Sequence, residues 1–120
     1  SKDIQSNITQ SVLNILHHPD YKDLFHQNSH AEVPITGILP NGRLIAGQID
    51  RLIITPTHIH ILDYKTDFTI PKTPDQIPQA YLDQMRTYRD LLRTLYSTHT
   101  LQCSLLWTSG PLMMDVTDIL

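Results

Sequence analysis

Three charged side chains in the middle of the chain have a spacing suited to chemistry. They are Asp50, in Gly47-Gln48-Ile49-Asp50-Arg51-Leu52, and Asp63 and Lys65, in Ile61-Leu62-Asp63-Tyr64-Lys65-Thr66. Asp63 and Lys65 are two apart, so on a strand they leave the same face. Asp50 is the only acid in the preceding apolar run. If the runs from Ile45 to Ile54 and from His58 to Lys65 pair as neighbouring strands, Asp50 lands beside Asp63. Adjacent carboxylates repel, and a divalent cation held by one or two carboxylates plus phosphate oxygens removes that cost. A lysine alongside carries the charge of a phosphate or of an attacking hydroxide. The set is that of a metal-dependent phosphodiester cleavage site. The same residues also suit a solvated strand face, with Asp63–Lys65 a surface ion pair worth ~0–1 kcal/mol. The apolar flanks (Ile59, Ile61 and Leu62; Ile49, Leu52 and Ile53) favour strands that emerge from a core.

A second constellation lies on a helix expected from Gln79 to Tyr96. At 100° per residue, Tyr81, Gln84, Tyr88, Leu91, Leu92 and Leu95 fall within about 100° of arc. Gln84 and Tyr88 lie near its middle, one turn apart, with Arg86, Arg89 and Arg93 opposite. An amide on an inward face needs a partner. Gln84 then either satisfies a backbone group, with Tyr88 as plain core, or both face the Asp50/Asp63/Lys65 corner. There they would bind phosphate or order the lysine.

The elements that position these residues follow from apolar period and turn chemistry. Residues 3–17 read as a helix, with Ile4, Ile8, Val12 and Leu16 at i, i+4 spacing, ended by Pro19. Residues 20–25 add a short helical turn, and 26–30 form a polar loop. Strands are expected at 31–39, 44–54 and 59–65, with Asn41-Gly42 as a hairpin turn. The loop from Thr66 to Pro78 carries Pro71, Pro74 and Pro78, with Thr73-Pro74 and Pro78 as helix-start signals. It either guides a strand of substrate over the site or merely connects. After the helix comes a strand at 101–107, a break at Ser109-Gly110-Pro111, and a helix start at Thr117.

Glu32-Val33-Pro34, Gly47-Gln48-Ile49-Asp50-Arg51-Leu52, Asp63-Tyr64-Lys65-Thr66 and Tyr81-x-x-Gln84-Met85-x-x-Tyr88 occur in that order with characteristic gaps. Together they resemble the RecB-type branch of the PD-(D/E)xK nucleases, and within it the C-terminal nuclease domain of AddA-type helicase–nucleases. The likeness runs from about Leu16 to Leu112 and includes Leu106-Trp107-Thr108. It implies an α/β (α+β) fold with a restriction-endonuclease-like core of helix, three-stranded meander, helix and further strand. It also implies metal-dependent cleavage of single-stranded DNA during processing and recombinational repair of double-strand ends. By resemblance Asp50 and Asp63 are the metal-binding acids, joined by the Tyr64 backbone carbonyl, and Lys65 is the catalytic lysine. Gln84 and Tyr88 form the Gln-x-x-x-Tyr motif, and Glu32 is a family acid of unassigned role. The cofactor implied is Mg²⁺ or Mn²⁺. The partners implied are a single-stranded DNA end, ATP-dependent helicase domains of the same polypeptide and an AddB-like subunit. The family's metal-binding histidine, in an early helix, has no counterpart at the right distance. His17 and His18 stand too close to Glu32.

Length and composition agree with residues 1–120 as a single nuclease domain, read as the C-terminal piece of a larger protein whose first domain helix precedes it. The chain is 40% hydrophobic, enough for one small core. It contains no apolar run near the ~20 residues of a membrane span and shows no signal peptide. Its single cysteine excludes a disulfide framework and a four-cysteine iron–sulfur cluster, and fits a cytoplasmic setting. The net charge is −3 and the pI about 6.1. Free-standing nucleic-acid binders are usually basic, so DNA would be delivered by the helicase or a partner. The same acidity suits two alternatives: a catalytically inactive docking or DNA-channel module, or another endonuclease of this fold.

Weaker features complete the reading. His58-x-His60 places two rings on one strand face without a third ligand, which favours exposed histidines over a metal. The chain has no Gly-rich phosphate loop and no nucleophile elbow. Tyr64, Tyr81 and Trp107 either stack on bases or pack in the core.

Overall fold

The computed structural model describes residues 29–120. The Asn41-Gly42 turn forms as its residue types require. Gly42 takes φ 85°, a left-handed conformation open to glycine, and the Asn41 side chain accepts the Arg43 N–H. Leu39 closes the turn from both sides, donating to the Arg43 carbonyl and accepting from the Gly42 N–H. The flanking strands are β1 (Ser29–Ile38) and β2 (Leu44–Ile54), followed by β3 (His58–Lys65). A single 3₁₀ turn at Pro74–Gln76 leads into α1 (Gln79–Leu95), then β4 (Thr100–Trp107) and β5 (Leu112–Asp115).

The five strands form one sheet in sequence order. β1–β2, β2–β3 and β4–β5 are antiparallel, while β3 and β4 are parallel, joined by the crossover through α1. This is the mixed α+β architecture expected from the sequence. The core lies between one sheet face and α1. Ile35, Ile49, Ile61, Leu105 and Trp107 pack there against Met85, Tyr88 and Leu92. Each such side chain contributes roughly 1.5–3 kcal/mol by leaving water. Cys103 is part of this core, and burial pushes its thiol up to about 12, so it packs and does not react. Among the described residues no helix is long and apolar enough to cross a membrane.

The structure corrects the sequence reading at several points. The first strand ends at Ile38, because Leu39 is drawn into the turn. Leu112–Asp115, left unassigned after the break at Ser109-Gly110-Pro111, returns along β4 as an edge strand. Thr117–Ile119 is one 3₁₀ turn. The buried stripe of α1 comprises Leu82, Met85, Tyr88, Leu91 and Leu92. It is rotated by roughly 40° from the stripe read off the sequence, at 100° per residue. Gln84 therefore lies at the exposed margin, Leu95 is exposed, and Arg89 is largely covered instead of facing solvent. The helix expected at 3–17, with His17 and His18, lies outside the described residues.

Candidate active site

β2 and β3 part at the acids. Their ladder runs from Ile54↔Ile59 to Arg51↔Leu62, so the next position outward sets Asp50 opposite Asp63. Beyond it β2 continues with β1 alone, while β3 stays paired to β4 as far as Lys65↔Trp107. The Asp50 carboxylate takes over from the ladder: Oδ2 accepts the Tyr64 N–H at 2.7 Å. In a strand the N–H and C=O of one residue project to the same side, so the Tyr64 carbonyl faces the same gap. The Lys65 carbonyl points the other way and accepts the Thr108 N–H at 2.9 Å.

Asp50 reaches this gap through a slip in strand alternation. Ile45, Gly47 and Ile49 face α1, as do Leu52 and Ile54, so the inward phase shifts by one residue between Ile49 and Leu52. Without that shift Asp50 would point to the opposite face, where Arg51 bonds the Tyr64 hydroxyl. β1 carries the matching irregularity. Its register runs Ala31↔Arg51 and Val33↔Ile49, leaving Glu32 beside Asp50 with φ 53°, left-handed and unusual outside glycine, Asn and Asp. The Glu32 side chain is exposed. Its backbone turn, opposite the slip, is what the structure assigns to this acid.

Asp63 is 7% exposed. Burial, and then the hydrogen-bonding contact with Asp63, push Asp50 up to about 6 against the opposing pull of the Tyr64 N–H and Lys65. Lys65 Nζ lies 2.6 Å from Asp63 Oδ2 as an ion pair, although no donor meets that oxygen with hydrogen-bond direction. The ammonium also donates to Gln84 Oε1 at 3.4 Å and sits 3.9 Å above the centroid of the Tyr81 ring. Gln84 Nε2 in turn donates to the Tyr88 hydroxyl at 3.3 Å. The sequence-derived set (Asp50, Asp63, Lys65, Gln84, Tyr88) is thus brought together at one corner. A trench of about 450 Å³ runs from Gln84 and Tyr88 past Thr87 and Ala46 to Arg43 at the hairpin turn.

Two contributors were not legible as such. Tyr81 holds the lysine from below and donates its hydroxyl to Asp67 Oδ2 at 2.7 Å. That hydrogen bond raises the Tyr81 phenol, keeping it a donor. Gly47 leaves room for Tyr88: a Cβ there would stand 2.9 Å from the Tyr88 hydroxyl. The motif Tyr-x-x-Gln signalled the first, and a glycine inside a strand signalled the second.

Other sequence candidates lie elsewhere. Trp107 is fully buried and Tyr64 is tied to Arg51, so neither ring is open to a base. His58 and His60 are not exposed. They occupy the sheet face away from α1, bonded to Gln102 and Ser104 at 2.8 Å each. Among the described residues no three His, Cys, Asp or Glu side chains cluster to hold a metal. The fitting donors are the two carboxylates Asp50 and Asp63, with the Tyr64 carbonyl. The buried Asp63 oxygen without a directed donor, beside an acid of raised pKa, fits a hard cation that keeps water and phosphate oxygens as its other ligands.

A search among curated proteins gives no match. A family model, described as the PD-(D/E)XK nuclease superfamily, matches residues 5–110. That span contains both acids, the lysine and the whole of α1, and the chain belongs to the PD-(D/E)XK nuclease superfamily.

Proposed function

We propose that this chain is a metal-dependent deoxyribonuclease domain of the RecB-type branch, similar to the C-terminal domain of AddA-type helicase–nucleases. Superfamily members are typically nucleases that use divalent metals, which supports phosphodiester hydrolysis on DNA. The observation that carries the reading is the Asp50–Asp63 pair at the parting of β2 and β3, with Lys65 alongside. Asp50, Asp63 and the Tyr64 carbonyl would hold Mg²⁺ or Mn²⁺. Bound there, such an ion lowers the pKa of a water and neutralises charge on the phosphate. Lys65 supports the charge that develops as the phosphate is attacked. Gln84 and Tyr81 fix where its ammonium sits, and Tyr88 fixes Gln84.

The substrate in this reading is a single-stranded DNA end from an unwound duplex, cut during double-strand break processing in the cytoplasm. The net charge of −3 supports delivery of that strand by ATP-dependent helicase domains of the same polypeptide and an AddB-like subunit. Residues 1–120 then constitute one nuclease domain of the larger protein. The test is calorimetric titration of the chain with Mg²⁺ and Mn²⁺, beside Asp63→Ala, followed by cleavage assays on single-stranded DNA. Binding and cleavage that vanish in the variant are expected. Cleavage at the wild-type rate by Asp63→Ala overturns the assignment. Neither binding nor cleavage by the wild type leaves the chain a docking module.

A further inference from the structure

Phe68 is 88% exposed, more than any other large hydrophobic residue described. An aromatic ring left in water gains nothing for the fold, and this one is displayed by a fixed support. Asp67, the residue before it, is tied twice. Its carboxylate accepts the Tyr81 hydroxyl at 2.7 Å, and its carbonyl accepts the Ser109 hydroxyl at 3.0 Å. The Tyr81 ring that anchors Asp67 is the ring beneath the Lys65 ammonium. Phe68 thus stands three residues from the lysine, on a segment braced by the same side chain that positions it. Ile70, two residues on, packs into the core, so the chain around Phe68 is held from both ends.

We propose that Phe68 is a stacking platform for an unpaired base of a single-stranded nucleic acid lying in the site. The inference rests on the nuclease reading and adds to it how a single strand is gripped. A base offers every sequence the same π face, so one aromatic ring beside a phosphate site binds strands without reading them. The flanks Asp67 and Thr69 are polar, and the exposed cation Lys72 follows four residues later. One ring among polar neighbours with a cation nearby suits a nucleotide better than a protein partner. A protein partner would need contiguous apolar area of several hundred Å². Bases in a duplex are already stacked on both faces, so the platform favours an unpaired strand.

The experiment compares Phe68→Ala and Phe68→Trp in the whole chain. Affinity is read by fluorescence anisotropy for a labelled single-stranded oligodeoxynucleotide and for the same oligonucleotide with abasic sites. The background carries Asp63→Asn so that the strand is not cut. Phe68→Ala should bind the intact strand about tenfold more weakly, while Phe68→Trp retains affinity. The abasic strand should bind all three proteins equally weakly. Unchanged melting temperatures will show that the fold is intact, as expected for a ring in solvent. Binding of the intact strand by Phe68→Ala within twofold of its parent overturns the platform and leaves the nuclease reading standing. An equal loss on intact and abasic strands overturns it too, because a stacking contact needs the base. A wild-type chain that neither binds nor cuts single strands overturns both.

Discussion

The Lys65 ammonium is held between a carboxylate and a ring, 2.6 Å from Asp63 Oδ2 and 3.9 Å above the centroid of Tyr81. Its side chain is only 13% exposed, so these contacts set where the charge stands. Tyr81 contributes a face to the lysine and a hydroxyl to Asp67, and the two can be separated by substitution. Tyr81→Phe keeps the face and should keep most of the cleavage rate. Tyr81→Leu removes both and should lower kcat about tenfold, in line with a desolvated cation–π contact of roughly 1–2 kcal/mol, with little change in KM. A Tyr81→Leu enzyme with wild-type kcat would show that Asp63 and Gln84 place the lysine without the ring.

Gly47→Ala tests the packing of the Gln-x-x-x-Tyr helix on β2. The new Cβ would lie 2.9 Å from the Tyr88 hydroxyl and 3.2 Å from Cε1 of the same ring, so Tyr88 must shift. The Gln84–Tyr88 hydrogen bond lengthens or breaks. We expect a loss of about 1–3 kcal/mol in stability, the usual cost of overpacking, and a cleavage rate lowered more than stability alone explains. Denaturant melts and initial rates on one preparation check both.

Glu32 makes a separable prediction about backbone. At φ 53° a glycine or Asn is at ease, whereas a β-branched residue is strained by about 1–3 kcal/mol. Glu32→Gly and Glu32→Asn should match or exceed the wild type in stability. Glu32→Val should fall below it and bind Mn²⁺ more weakly, because the slip that turns Asp50 inward is lost. Equal stability for Val and Gly at this position would refute the backbone role.

His60 makes the protein sensitive to acid. Burial is the largest influence on its ring and brings it from the ordinary 6.5 down to about 4, so the native state keeps it neutral where the unfolded chain protonates it. The unfolded state then binds more protons between these values, and stability falls as the pH drops from about 6.5 to about 4, by roughly 3 kcal/mol in all. Below about 4 the loss stops, because both states are protonated. His60→Gln can still meet Ser104 and does not titrate in this range. Its stability, followed by urea melts at several pH values, should fall less steeply than the wild type's in that window. Parallel curves would exclude His60 as the cause.

Asp63→Ala should abolish cleavage and metal binding without lowering the metal-free melting temperature, since it removes one of two repelling acids. A large loss of stability would mean that the Lys65 ion pair holds the corner together more strongly than the acid pair strains it.

The sequence reading succeeded where a local signal was strong. Alternating apolar residues and Asn41-Gly42 marked the hairpin, and the spacing of Asp50, Asp63, Lys65, Gln84 and Tyr88 anticipated that they lie at one corner. It misplaced the buried stripe of α1, because Leu82 and Met85 were weighed less than a stripe centred on the motif residues. It read His58 and His60 as solvent-facing, because a polar residue in a strand next to apolar neighbours gives no sign of a partner forty-four residues away. β5 escaped notice because four residues after a Gly-Pro break carry too little period to read. The slip at Asp50 was written in the sequence, in the change from Ile45-x-Gly47-x-Ile49 to Leu52-x-Ile54. Its meaning needed the facing strand.

That slip sits where the β1–β2 hairpin leaves β3, so Asp50 stands at the junction of two strand pairings. The hairpin beyond it is seated on α1: Ile35, Leu39 and Ile45 are buried in one core with Tyr88, Leu91 and Leu92, and Tyr88 lies against Gly47. Asp63 lies on a strand paired along its length with β4. The two acids thus belong to separately supported arms of one sheet, and how far apart they stand depends on how the hairpin seats on α1 as well as on strand pairing.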